Sequence, residues 1–352
     1  MLRKIDSLQY LRALAAVLVV INHLWPEGKI SSTLGFNHIG GIGVDLFFII
    51  SGFIMGHTIS EKIVNKKLDS LNFIKKRITR IYPIYLVITI PLLIIYFLKS
   101  ITSGTEISLY MVVGNILLLP SFTNDPNYKM LIPVAWTLCY EMFFYIIYGI
   151  SILLSSKKND VILISSILIL FTFAFDNIFG FKGARLHWVN FSYMLGDSLL
   201  INFIIGGVLY IIANKTSRVV FKIQHSVIFA ILTLIISMTL LSGAGIGRFF
   251  TFGIPASIIV FMFIKSDTSK IDMGMNKFLI TLGNASYSIY LIHYLFKPLF
   301  PILTTTVGIS HDIVGILLVL AALLTGTIFY RKIEIPLMRM LTKRKALLSG
   351  VV

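Results

Sequence analysis

The chain has 352 residues, of which 57% are hydrophobic and 13% charged, and its mean hydropathy is +0.89. A soluble domain carries roughly 25% charged residues, so a water-soluble globule is excluded: its core could not absorb this surplus of Ile, Leu and Phe, but lipid can. The net charge of +16 is what the basic cytoplasmic loops of a membrane protein produce and is no sign of nucleic acid, and the single cysteine, Cys139, excludes an internal disulfide framework and a Cys-rich metal site.

In chain order, the first apolar stretch, Leu11–Leu24, follows Arg3 and Lys4 and is closed by Trp25-Pro26. It lacks a small-residue cleavage site, so it reads as a membrane helix rather than a cleaved leader. About 20 apolar residues cross a bilayer. The predicted spans are 8–25, 41–60, 79–99, 134–154, 160–178, 197–213, 226–243, 249–265, 279–300 and 312–331. A shorter apolar stretch, 107–120, ends at Pro120.

Charge chooses between ten and eleven spans. With ten, most Lys and Arg fall on one side: Arg3 and Lys4, the run from Lys62 to Arg80, Lys157 and Lys158, Lys215, Arg218 and Lys222, Lys265, Lys270 and Lys277, and the tail from Arg331. An eleventh span would move every loop after residue 120 to the other side and erase that asymmetry. The predicted fold is therefore all-α. It is a polytopic bundle of about ten transmembrane helices, with 107–120 as a short re-entrant or interfacial helix and both termini cytoplasmic. No repeat, linker or low-complexity segment divides the chain. The reading is one membrane domain, 1–335, followed by a basic cytoplasmic tail, 336–352.

Ionisable groups inside spans are costly, and they usually face the bundle interior and serve a purpose. Arg12 and His23 share the first helix. Eleven residues are close to three turns, so their side chains point the same way, ~16 Å apart along the axis. Asp45 enters the second span from outside within Gly40-Gly41-Ile42-Gly43-Val44-Asp45, where glycines permit close helix approach. Glu141 lies in the fourth span, in Trp136-Thr137-Leu138-Cys139-Tyr140-Glu141. The topology puts His23, Asp45 and Glu141 independently in the outer third of the membrane, which favours a shared site. His293 ends the polar ladder Ser286-Tyr287-Ser288 of the ninth span. A lone membrane histidine more often joins helices than does chemistry. His38, His187 and His311 fall in outer loops, with solvation as the default. Arg77 and Arg80 lie on adjacent turns before the third span. They read equally well as a topology signal or as a grip on a phosphorylated ligand in the cytoplasm.

These residues carry a resemblance. Arg12 with ten residues to His23, Gly43-Val44-Asp45-Leu46-Phe47-Phe48 leading to Ser51-Gly52-Phe53, Arg77-Ile78-Thr79-Arg80, Trp136-Thr137-Leu138 with Glu141 and Phe144-Tyr145, and Ser286-Tyr287-Ser288-Ile289-Tyr290-Leu291-Ile292-His293 stand in the order found in the acyltransferase-3 family of membrane acyltransferases. The chain resembles that family over nearly its whole length, most closely the branch that modifies exopolysaccharide and O-antigen. Relatives more often have two adjacent acids where this chain has Tyr140 and Glu141.

The resemblance implies an enzyme of the bacterial cytoplasmic membrane, multi-pass, that moves an acyl group, by default acetyl, from cytoplasmic acyl-CoA to a hydroxyl of a polysaccharide or lipid-linked sugar at the outer face. Acetyl-CoA would be a co-substrate, with no permanently bound cofactor and no metal. His23 would be the catalytic histidine, with Asp45 or Glu141 orienting its ring as a carboxylate does in hydrolytic triads. Arg12, Arg77 and Arg80 would serve the donor. Ser51, Trp136, Tyr145, Ser286, Tyr287 and His293 would support substrate or structure. Direct transfer and an acyl-histidine both stay open. No appended soluble domain is expected. The rival readings are a transporter or flippase of a lipid-linked sugar, which would want internal repeats that are not seen here, and a non-catalytic partner in polysaccharide assembly.

Overall fold

The computed structural model describes residues 6–104, 107–123, 125, 127–181, 183–215, 221–238, 247–269 and 271–348. The helices, in order, are α1 (Asp6–Leu24), α2 (Lys29–Leu34), α3 (Phe36–Thr58), α4 (Lys66–Ser103), α5 (Leu109–Leu117), α6 (Trp136–Leu154), α7 (Lys158–Phe179), α8 (Phe191–Leu195), α9 (Leu199–Lys215), α10 (Ile223–Ile236), α11 (Ile254–Ile264), α12 (Met273–Ile292), α13 (Leu299–Pro301), α14 (His311–Phe329) and α15 (Ile335–Leu348). Two two-residue strands, β1 (Phe221–Lys222) and β2 (Ser266–Asp267), form one parallel pair.

A helix stands at each of the ten predicted spans. Among the described residues, six runs are long and apolar enough to cross a membrane: α1, α3, α4, Pro133–Leu154, α7 and His311–Leu341. α9, α10 and Phe249–Ile264 are shorter apolar helices. α5 has nine residues and rises only ~13 Å, less than half the hydrocarbon thickness of ~30 Å. Arg3, Lys4, Lys182, Arg218 and Lys270, the stretch 239–243 of the seventh predicted span and the tail end 349–352 lie outside the described residues.

α4 and α12 differ most from their predicted extents. α4 begins at Lys66 rather than near residue 79 and has 38 residues. Its start is capped: Asn65 accepts from Leu68 N at 3.0 Å, and Asp69 accepts from Val64 N and Asn65 N. These bonds satisfy amides that a helix start otherwise leaves unpaired. The basic run Lys75–Arg80 is thus mid-helix. At the other end of the chain, α12 stops at Ile292 and tightens into a 3-10 turn, His293–Phe296.

The chain forms two compact units, Met1–Thr58 with Ser198–Ile328, and Ile59–Asp197 with Phe329–Val352. In the first, α1 packs on α3 and α12, and α3 packs on α9 and α11. Small residues make these contacts close. A methyl group on Gly52 would stand 2.0 Å from Phe203 O, and one on Gly206 the same distance from Ile49 O, so α3 and α9 touch backbone to backbone. Gly43 meets Ala15 O of α1, and Gly283 of α12 meets Gln9 O. Tyr10 donates to Asn276 at 2.7 Å, so α1 and α12 run side by side from their first turns to His23 and His293. Asp312 of α14 accepts from Trp25 Nε1 at 2.9 Å and from Ile30 N, which ties α14 to the start of α2.

In the second unit, α6 packs between α4 and α7, and α5 and α15 lie on α4. Ser70 donates to Gly149 O at 2.8 Å within the α4–α6 contact. Lys158 and Glu61 pair at 2.7 Å. Asn115 anchors the segment after α5, donating to Met111 O and Lys129 O and accepting from Leu131 N at 2.7 Å.

Candidate active site

His23 sits in the last turn of α1, half-buried. Its Nδ1 lies 3.0 Å from Nε2 of His293, a residue 270 positions away and 0% exposed. His293 Nδ1 lies 3.2 Å from Ile289 O. A carbonyl only accepts, so the hydrogen of His293 is on Nδ1. With both rings neutral, His293 Nε2 then accepts and His23 Nδ1 donates. That leaves the lone pair of His23 on Nε2, and the ring also hydrogen-bonds the backbone of Val19, one turn earlier on α1. Tyr294 packs edge-on against the His23 ring, centroids 5.4 Å apart, and Lys297 lies over the Tyr294 ring and donates to its hydroxyl at 3.3 Å.

The other candidates of this unit stand on α1, α3 and α12. Arg12 is half-buried on α1 and donates to Gln9 Oε1 at 3.3 Å. Ser51 is half-buried beside the Gly52 contact, and Tyr287 is half-buried on α12. Ser286, seven residues before His293 and therefore close to its face of α12, is fully buried. Its Oγ has no hydrogen-bond partner among the described residues. Asp45 is 0% exposed. It accepts from Asn202 of α9 and is ion-paired with Arg248, which also donates to Gly41 O at 3.3 Å. Asp45 thereby joins α3, α9 and the turn before α11. The ring at Nδ1 of His23 is an imidazole, where the sequence pointed to a carboxylate.

The remaining candidates form a second cluster in the other unit. Tyr145 donates to Glu141 Oε2 at 2.7 Å, one turn apart on α6. Arg77 is buried, with its guanidinium 5.4 Å from the Phe73 ring centroid and 5.9 Å from that of Tyr145. Arg80 is exposed. The two arginines of the sequence motif thus have different settings, one locked among aromatic rings and one in reach of a solvated ligand. Tyr140 donates to Asp197 Oδ2 at 2.9 Å, so the residue beside Glu141 supplies a hydroxyl to an acid just past α8.

An acyltransferase domain model matches residues 5–331, a range that contains the histidine pair, the Asp45 ion pair and the Glu141 cluster. The chain belongs to the acyltransferase-3 family.

Among curated proteins, it is similar to the exopolysaccharide production protein ExoZ of Rhizobium meliloti (strain 1021), 32% identical over 114 residues, which cover 32% of this chain and 34% of that protein. It is also similar to protein 2 in the picA locus of Rhizobium radiobacter, 28% identical over 123 residues, 31% of this chain and 64% of the relative. The O-acetyltransferase OatA of Staphylococcus aureus (strain NCTC 8325 / PS 47) is 36% identical over 85 residues, 23% of this chain and 12% of that protein. The chain therefore spans less than two thirds of each of these relatives. No solved structure gives a significant match.

In this acyltransferase-3 chain, four residues of interest were not singled out by the sequence reading. Arg248 reads as a loop residue, and its role appears only once Asp45 is seen beside it. Asn202 lies in a predicted span, and an Asn in lipid is a signal that could have been used. Tyr294 and Lys297 follow the family motif directly but carry no pattern of their own. A further feature is backbone geometry. Leu186, His187 and Trp188 have φ of 32, 53 and 67°. Each such non-glycine residue costs of order 1–3 kcal/mol, so three in a row must be held by their surroundings. Trp188 N donates to Arg185 O at 2.7 Å, and the following residues are pinned by Ser121, whose N donates to Val189 O and whose O accepts from Phe191 N.

Proposed function

We propose that this chain is a membrane O-acyltransferase of the bacterial cytoplasmic membrane. It moves an acyl group, acetyl by default, from cytoplasmic acyl-CoA to a hydroxyl of a polysaccharide or lipid-linked sugar at the outer face. The observation that carries the reading is the bond from His23 Nδ1 to His293 Nε2, which leaves His23 Nε2 as a directed base at the end of α1. Membership of the family and the printed names of the relatives support the substrate class.

In the proposed step, His23 Nε2 takes the proton of the acceptor hydroxyl as the oxygen attacks the thioester carbonyl carbon. The tetrahedral intermediate collapses, the carbon–sulfur bond breaks, and the proton passes from His23 to the departing CoA sulfur. Arg12, on the face of α1 that carries His23, serves the donor. Arg80, exposed on α4, receives a CoA phosphate at the inner face, and Arg77 beside it holds Tyr145 and through it Glu141. Asp45 acts through Arg248 and Asn202 as the anchor of α3. Acetyl-CoA is consumed in this scheme and is not a resident cofactor.

The test uses purified full-length protein in lipid nanodiscs with radiolabelled acetyl-CoA and non-acylated surface polysaccharide. His23→Ala, folded and at equal level, is expected to lose transfer by at least about a hundredfold, the usual worth of a positioned general base. Acylation at the wild-type rate would end this assignment.

A further inference from the structure

We propose that Lys297, held on the hydroxyl of Tyr294 beside His23, selects an acceptor that carries a negative charge, a carboxylate or a phosphate, near the hydroxyl to be acylated. This rests on the acyltransferase reading and names the charge of its acceptor.

The arrangement starts from the 3-10 turn His293–Phe296 that ends α12. A 3-10 helix has three residues per turn, so side chains three apart eclipse one another. Lys297 N donates to Tyr294 O at 3.2 Å, which brings these two residues into that relation. The same turn sets Tyr294 edge-on to both histidines, with centroids 5.4 Å from His23 and 6.2 Å from His293. Lys297 Nζ lies 3.3 Å from the Tyr294 hydroxyl and 5.0 Å from the ring centroid, so it stands at the polar end of the ring. Its charge acts on both imidazoles.

Donors meet at this point without acceptors. Nζ has three N–H bonds, and one is directed at Tyr294. Among the described residues it has no other hydrogen bond and no carboxylate partner. The Tyr294 hydroxyl accepts from Lys297, and its own hydrogen has no acceptor among the described residues. The acids that follow α1 and α12 are engaged elsewhere, Glu27 with His311 and Asp312 with Trp25 and Ile30. Lys297 is exposed and Tyr294 half-buried, so a ligand can reach the ammonium. A lysine that only snorkels to the membrane surface needs no tyrosine partner, and on the outer side it adds nothing to the charge asymmetry that orients a bundle.

Charge gives the specificity. In the proposed step His23 takes the acceptor proton and becomes an imidazolium close to the Lys297 ammonium. Two like charges repel, and an anionic substituent on the acceptor offsets that repulsion while it binds Nζ by a charge-assisted hydrogen bond. An acidic polysaccharide and a phosphate-bearing lipid-linked oligosaccharide share this chemistry.

Binding is measured by calorimetry on full-length protein in nanodiscs with no acyl donor present, so that nothing turns over. The probes are the polysaccharide extracted from cells lacking this protein, the same polysaccharide with its carboxyl groups reduced to alcohols, the lipid-linked oligosaccharide of those cells, and that oligosaccharide freed of lipid and phosphate. Wild type is expected to bind the first or the third, and the tighter of the two identifies the source of the anion. The uncharged derivative should bind roughly threefold to tenfold more weakly, the worth of one charge-assisted contact at a solvated site. Lys297→Met, which keeps an apolar stem, should lose that factor for the charged probe and nothing for the uncharged one, and Lys297→Arg should keep most of the affinity. The difference should shrink at high ionic strength. Equal affinity of wild type and Lys297→Met for the charged probe, an equal loss for charged and uncharged probes, or no binding of any probe overturns the assignment. In the turnover assay, Lys297→Met should raise KM for the charged acceptor and leave KM for acetyl-CoA unaltered. An acceptor KM that does not move would refute the role of Lys297 and leave the acyltransferase reading standing, whereas Lys297-dependent binding without any acyl transfer by wild type would refute that reading alone.

Discussion

The histidine pair allows a sharp test of how His23 is oriented. In His293→Ala, the Nδ1–H of His23 loses its acceptor at 3.0 Å. A neutral hydrogen bond is worth about 0.5–1.5 kcal/mol net, and about 1.4 kcal/mol is a factor of ten in rate. Loss of the bond alone therefore predicts a fall in kcat of roughly threefold to tenfold. The freed ring also exchanges tautomers and rotates, so part of the population presents N–H instead of a lone pair to the acceptor. With that added, kcat should fall about tenfold to a hundredfold, against a worth of 10²–10⁴ for a positioned general base. KM for acetyl-CoA and for glycan should stay put, because His293 is fully buried and acts through His23. His293→Gln can accept from Nδ1–H through its amide oxygen and should recover most of the rate. The assay is steady-state acylation in nanodiscs with thermal unfolding of each variant alongside. Equal losses in the Ala and Gln variants, or an unaltered kcat in His293→Ala, would refute the orientation argument.

Two further expectations concern the scaffold that holds α1 and α3. Gly52→Ala places a methyl group 2.0 Å from Phe203 O, a backbone atom that cannot step aside. Forcing α3 and α9 apart should cost about 1–3 kcal/mol or more, read as a lower unfolding temperature in detergent. Gly247→Ala, which meets nothing within 4 Å, is the matched control and should be neutral. Asp45→Ala removes the partner of Arg248, whose side chain is 24% exposed while Asp45 is 0% exposed. Stranding a fully buried charge costs 3–5 kcal/mol, and the partial exposure of Arg248 reduces the expected loss to about 2 kcal/mol. Asp45→Ala with Arg248→Met should regain part of it, and a single Asp45→Ala variant as stable as wild type would contradict the anchoring role.

Most of the helical layout was legible from residue order, because hydropathy is a local property. Whether a segment prefers lipid depends on its own 20 or so side chains, so helices stand where the apolar runs predicted them, and the nine-residue α5 is the short element expected in 107–120. The long upstream start of α4 was the exception. Its first turns are polar and amphipathic, and the capping by Asn65 and Asp69 that begins them is outweighed in a hydropathy reading by the lysines that follow. The three turns between Arg12 and His23 also followed from helix geometry alone.

Partners belong to the tertiary structure. The sequence put a carboxylate beside His23, by analogy with hydrolytic triads, but the atom at Nδ1 belongs to His293, 270 residues away. Asp45 spends its oxygens on Asn202 and Arg248, and the latter had looked like a loop residue. Arg77 and Arg80, equivalent as a motif, separate into one buried and one exposed group. The pairing of Trp136 with Trp188 depends on a left-handed turn that Leu186, His187 and Trp188 do not favour on their own. Residue order thus determined where the apolar helices stand and which polar groups they carry. The choice of partner was left to helix packing, because a hydrogen bond acts over about 3 Å and only the folded chain brings such distant residues that close.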